Sequence, residues 1–123
     1  MVFGVFDGFH PGHEYFLSKA TEACEQLIVV VAQDSLVQEL KNHSPRYTRA
    51  EREARIKEIF PNAEIISGDT TLGSWDVVKK HKPDIVFLGY DQHGIADELK
   101  KLKIPFVFLE PYEPHKFKSS LLN

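Results

Sequence analysis

Cysteine is nearly absent from this sequence. Cys24 is the single one among 123 residues, which excludes an intrachain disulfide framework and a cysteine-rich zinc site and suits a reducing compartment, so the cytoplasm is expected. Long apolar runs are also missing. The longest, Leu27 to Ala32, falls far short of the roughly 20 residues that cross a bilayer, and no basic-then-apolar leader precedes the first motif. Neither a membrane span nor export is expected. No sign of charge dominates: 15 Lys and Arg stand against 18 Asp and Glu, a formal net charge of -3. That balance argues against a non-specific polyanion binder and makes nucleic acid an unexpected partner. Internal repeats, low-complexity tracts and linker-like shifts in composition are lacking too, so residues 1–123 read as one domain. What remains is 42% hydrophobic and 27% charged, enough apolar material for a core that needs no staple.

The apolar residues fall into short runs rich in β-branched and aromatic side chains, separated by longer amphipathic stretches. This is the pattern of repeated βα units around a parallel sheet. Strands are expected at Val2–Phe6, Leu27–Ala32, Ala63–Ser67, Ile85–Leu88 and Phe106–Leu109, each short enough to be covered by helices on both faces. Helical patterns run over Gly12–Cys24, Ser35–Leu40, Arg49–Phe60, Ser74–His81 and Ala96–Leu102, and Pro61, Pro83 and Pro105 mark the exits from the last three. The fold class is α/β, a single Rossmann-like domain with a doubly wound five-stranded parallel sheet in the order 3-2-1-4-5. In such sheets ligands sit outside the carboxyl ends of the strands, so chemistry is sought in the loops that follow strands.

The first of these loops is the richest. Strand one exits through Val5 and Phe6 into Asp7-Gly8-Phe9-His10-Pro11-Gly12-His13 and runs straight into a helix. Gly8 and Gly12 permit a tight turn and close backbone approach, Pro11 presets helix entry, and free N–H groups at a helix start attract phosphate. His10 and His13, three residues apart, would share one helix face and could donate to the same anion. Two other readings use the same residues: an ordinary helix cap, or a metal-binding pair, the latter without further ligands at diagnostic spacing.

The string GVFDGFHPGH, with its HxGH core between strand and helix, resembles the signature of the cytidylyltransferase-like nucleotidyltransferases. Those enzymes move a nucleoside monophosphate from a nucleoside triphosphate to a phosphomonoester and release pyrophosphate. The resemblance implies that His10 and His13 steady the charge gathering on the phosphates, and it puts Val5, Phe6, Asp7 and Gly12 beside the nucleotide. Further on, Lys41 and Arg52 resemble the family's lysine loop and helix-start arginine, implying two cations for the triphosphate, although salt-bridged surface residues would look the same. Leu88-Gly89-Tyr90-Asp91-Gln92 resembles the segment lining base and ribose, with Gly89 giving backbone access and Asp91 a hydrogen bond, beside a plain turn as the other reading. Lys116, Ser119 and Ser120 resemble the family's Ser/Thr pair near the terminal phosphates, without the arginine that often precedes it.

Within the family, the Lys41–Arg52 spacing, IVFLGYDQ and PHKFKSS are most similar to archaeal-type FAD synthases, which implies transfer of AMP from ATP to FMN. Glycerol-3-phosphate cytidylyltransferase-like CMP transfer is the alternative, and a nucleotide-binding sensor without turnover a third reading. The resemblance further implies Mg²⁺ carried by the triphosphate, with no dedicated protein metal site, and a homodimer.

Overall fold

The protein is described by a computed structural model over residues 1–71 and 73–110. Among the described residues four βα units and a fifth strand run β1 (Val2–Gly4), α1 (Pro11–Glu22), β2 (Ile28–Val31), α2 (Asp34–Lys41), α3 (Arg49–Ile59), β3 (Glu64–Ser67), α4 (Asp76–His81), β4 (Val86–Leu88), α5 (His93–Leu102) and β5 (Phe106–Phe108), with α2 and α3 both falling between β2 and β3. Every strand pair is parallel, β1 with β2, β2 with β3 and β4 with β5. The chain is therefore α/β, as its periodicity implies.

Alternation along the strands sends side chains to two apolar layers. Val29 and Val31 join Val2 and Phe87 against Leu17 and Ala20 of α1 and Ile56 of α3. Val30, Val86 and Leu88 point the other way, with Met1, against Val78 of α4 and Ala96 and Leu99 of α5. Helices on both faces explain why the strands read as continuous apolar runs.

Ladder hydrogen bonding divides the five strands into two sheets, β1-β2-β3 and β4-β5, where the sequence leads one to expect a single sheet. β1 is itself shorter than expected. It stops at Gly4 and not at Phe6, because Phe6 turns into the left-handed region with φ 55°, which ends extended pairing. An ideal Cβ on Gly4 would lie 2.5 Å from the Phe6 ring, so this reversal requires glycine there. On the other flank of β1, Met1 donates to Ile85 O at 2.9 Å and accepts from the Phe87 amide at 3.0 Å, and further along the Gln92 side chain, not a strand amide, donates to Phe3 O at 3.0 Å. Both sheets present their carboxyl ends to the loops that carry the candidate residues.

Candidate active site

The entry to α1 is built from the two histidines. His10 is the N-cap, with Pro11 following at the first helical position. The His10 Nδ1 accepts from the Gly12 amide at 3.1 Å, and the His13 Nδ1 accepts from the His10 amide at 3.3 Å. Both rings thus use Nδ1 as an acceptor, which puts their protons on Nε2 and leaves two outward N–H donors. The rings stack with centroids 3.6 Å apart and planes 26° from parallel, so the pair is one unit. His13 leans on Phe6 and Phe9, at 5.4 and 5.8 Å between centroids, while His10 is exposed. Burial, then the neighbouring His10 and Lys41, lowers the His13 pKa to about 4, against a smaller opposing pull from Asp7. His13 is accordingly a neutral donor at neutral pH.

Asp7 braces the loop. Its two carboxylate oxygens accept from the Arg46 and Tyr47 amides at 2.8 and 3.0 Å, tying the β1–α1 loop to the segment ahead of α3. Burial pushes its pKa up, but those amide bonds together with the Arg52 and Arg46 charges outweigh it and hold the carboxyl below the usual range. Arg52 ties the same two segments from beneath. Its side chain is fully buried. Nε donates to Tyr47 O at 3.0 Å, Nη1 to Val5 O at 2.8 Å and Nη2 to Asp34 Oδ1 at 2.5 Å. An arginine expected to reach a triphosphate is here joined to protein acceptors through three nitrogens. Val5 serves through its carbonyl, and Phe6, 4% exposed, through its ring.

Lys41 sits in the last turn of α2, exposed, one residue past the expected end of that helix. Its charge lowers the His13 pKa, so the fold brings it within electrostatic reach of the histidines. Gly12 donates its amide to His10 in the first turn of α1. At the end of β4, Gln92 accepts from the Gly89 amide at 2.9 Å and donates to Phe3 O at 3.0 Å. Its side chain therefore bridges β4 to β1. Asp91 is exposed, and one of its carboxylate oxygens stands 3.4 Å from an ideal Cβ on Gly89. Lys116, Ser119 and Ser120 lie outside the described residues.

Two residues escaped the sequence reading. Asp34, the Arg52 partner, opens α2 immediately after the β2 exit; an acid at a helix start directly after an apolar strand was its only signal. Arg46 carries one of the two amides that Asp7 holds, and nothing in its loop marked it. A separate cleft of about 200 Å³ beside Cys24, Leu27 and Phe60 lies at the opposite ends of the strands, away from the histidines. Among the described residues no group of three or more His, Cys, Asp and Glu is arranged to hold a metal, and no helix is long and apolar enough to cross a membrane.

Similarity to known proteins follows the same geometry. Residues 1–117 match the family described as cytidylyltransferase-like. An FAD synthase from Thermococcus sibiricus is 35% identical over 116 residues, covering 85% of this chain and 78% of that protein. An FAD synthase from Pyrococcus horikoshii is 37% identical, covering 82% and 68%, and one from Aciduliprofundum boonei 36% identical, covering 91% and 78%. Among solved structures, the lipopolysaccharide core biosynthesis protein from Thermoplasma volcanium GSS1 superposes with a TM-score of 0.79 at 32% identity, over 92% of this chain and 96% of that one. Extending past both candidate loops and both sheets, this similarity means that the chain belongs to the cytidylyltransferase-like family and is a nucleotidyltransferase.

Proposed function

We propose that the chain joins AMP from ATP to FMN, forming FAD and releasing pyrophosphate. The observation that carries this reading is the stacked His10–His13 pair, whose Nδ1 atoms are both occupied as acceptors. Two Nε2–H donors at a helix N-terminus suit a phosphate anion. An oxygen of the FMN phosphate attacks the α-phosphorus of ATP in line; the new P–O bond forms as the bond to the β-phosphate oxygen breaks, and pyrophosphate leaves. His10 and His13 donate to the phosphate oxygens on which charge gathers, and Lys41 adds a mobile positive charge. Arg52 and Asp7 are positioning residues that hold the loop carrying the histidines. FMN is preferred to glycerol 3-phosphate because the three relatives named above are FAD synthases.

Val5, Phe6, Gly12, Gly89, Asp91 and Gln92 border the ATP site in this reading, with Gln92 acting through the backbone it bridges; Lys116, Ser119 and Ser120 complete the triphosphate end. Mg²⁺ supplies charge neutralisation on the phosphates. Imidazole and lysine donors suit phosphate oxygens and not a cation, so the ion is held by the nucleotide itself. The finer topology belongs to the same proposal: one sheet ordered 3-2-1-4-5 in a single domain. The Met1 bonds to Ile85 and Phe87, and side chains of both ladders in each apolar layer, support it. A homodimer is proposed from the family resemblance, and a cytoplasmic location from the single cysteine.

The test offers ATP or CTP with Mg²⁺ and FMN, glycerol 3-phosphate or phosphocholine, and counts pyrophosphate. FAD from ATP and FMN is expected. His10→Ala and His13→Ala should each lower kcat by about a hundredfold or more with the fold retained. Nucleotide affinity without release of pyrophosphate for any pair would point to a sensor instead.

A further inference from the structure

Phe6 apart, the residues assigned to the reaction leave a cleft unused. It measures about 550 Å³ and opens between the β1–α1 loop and the outer face of α3, within the size range of small-molecule sites. Phe6, Phe9 and Tyr47 supply three rings, Gly8 and Ala54 leave space between them, and Arg55 adds a planar cation. Phe6 and Phe9 are also the rings that His13 touches, so the cleft begins where the histidine pair ends. Tyr47 is 45% exposed and makes no ring contact among the described residues, so its ring is available to a planar ligand.

We infer that this cleft receives the flat tricyclic ring of the flavin acceptor, with the acceptor phosphate directed over Gly8 toward His10. The inference rests on the FMN reading above and adds the place of the ring. Charge fixes the direction. Glu51 and Glu58 line the helix side of the cleft and repel a phosphate there, whereas an uncharged ring meets no such penalty. At the other end, Arg46 Nη1 stands 3.9 Å from an ideal Cβ on Gly8, and among the described residues its guanidinium forms no ion pair. That guanidinium is suited to a phosphate. Gly8, at φ 78°, keeps the floor between ring and phosphate free of a side chain that could not adopt this backbone without strain. Arg55 pairs with Glu58 only at 3.5 Å, both side chains largely exposed, so its donors can turn to the ring carbonyl oxygens of a flavin at little cost. Two substrates would then approach the histidine pair from opposite sides, ATP from the β4 end and flavin from the α3 end, as in-line displacement demands.

The test measures quenching of flavin fluorescence by the full chain, with FMN and with riboflavin, in the presence of a non-hydrolysable ATP analogue and Mg²⁺. FAD formation is assayed in parallel. Ala54→Trp, which fills the cleft from an exposed helix position, should weaken FMN and riboflavin binding about tenfold or more and raise KM for FMN while KM for ATP holds. Tyr47→Ala should weaken both flavins about tenfold and Tyr47→Phe should restore them. Arg46→Ala should weaken FMN but not riboflavin. Unchanged flavin binding and KM for FMN in Ala54→Trp and Tyr47→Ala, with FAD still made, would overturn the cleft while leaving the reaction standing. A change of oligomeric state in Ala54→Trp without loss of flavin binding would assign the cleft to a second copy and overturn it too. Absence of FAD formation in the parent protein counts against the reaction itself; flavin quenching that Ala54→Trp abolishes would still support the cleft.

Discussion

A histidine that caps its own helix has its tautomer chosen by the backbone. The His10 and Gly12 amides occupy the two Nδ1 atoms, and burial leaves His13 with a pKa of about 4, below its ordinary 6.5. Between those values the unfolded chain holds more protons than the folded one. The His13 contribution to stability is therefore complete above about pH 6.5 and is lost as pH falls toward 4. We expect the His13 Cε1–H resonance to titrate with a midpoint near 4 in the free protein. The midpoint should rise when ATP and Mg²⁺ are added, because phosphate charge beside the ring favours the imidazolium. A midpoint at the ordinary value in the free protein, or one indifferent to ATP, would separate His13 from the phosphate role.

Arg52 makes one unit of α3, α2 and the exit of β1. The guanidinium is buried and Asp34, its charged partner, is 47% exposed, so the cost of stranding the cation is expected below that of a fully enclosed pair. Asp34→Ala should destabilise the protein by about 2 kcal/mol in urea unfolding. Adding Arg52→Met to Asp34→Ala should recover part of that loss, since a hydrocarbon replaces a charge left without its partner. Simple addition of two independent losses would refute the coupling. At this scale the sequence was partly informative. Thr48 and Glu51 form the capping box that starts α3 at Arg49, where the amphipathic pattern puts it. Local spacing says nothing of the acceptors Arg52 finds, which lie 18 and 47 residues away at Asp34 and Val5.

Across the whole molecule, the two ladders meet at β1 and β4, and Gln92 closes the gap by bonding Gly89 and Phe3. Gln92→Leu leaves a half-buried N–H and a carbonyl without this partner, with an expected loss of about 1–3 kcal/mol. Faster hydrogen exchange at the Gly89 amide would report it directly; unaltered exchange would mean that the seam is held by other contacts. The order of strands and helices was legible in the sequence, because a period of two or of 3.6 is written residue by residue. The histidine cap of α1 was one of the readings left open there, and its hydrogen bonds span only two and three residues. Strand ends were less legible: β1 stops early at Gly4, ahead of a Phe6 whose positive φ no propensity announces. What only the tertiary structure decided is where the long polar side chains spend their bonds. Asp7 reaches amides 39 and 40 residues on, and Gln92 a carbonyl 89 residues back. Such pairings arise when packed layers bring distant backbone together, and spacing along a chain does not record them.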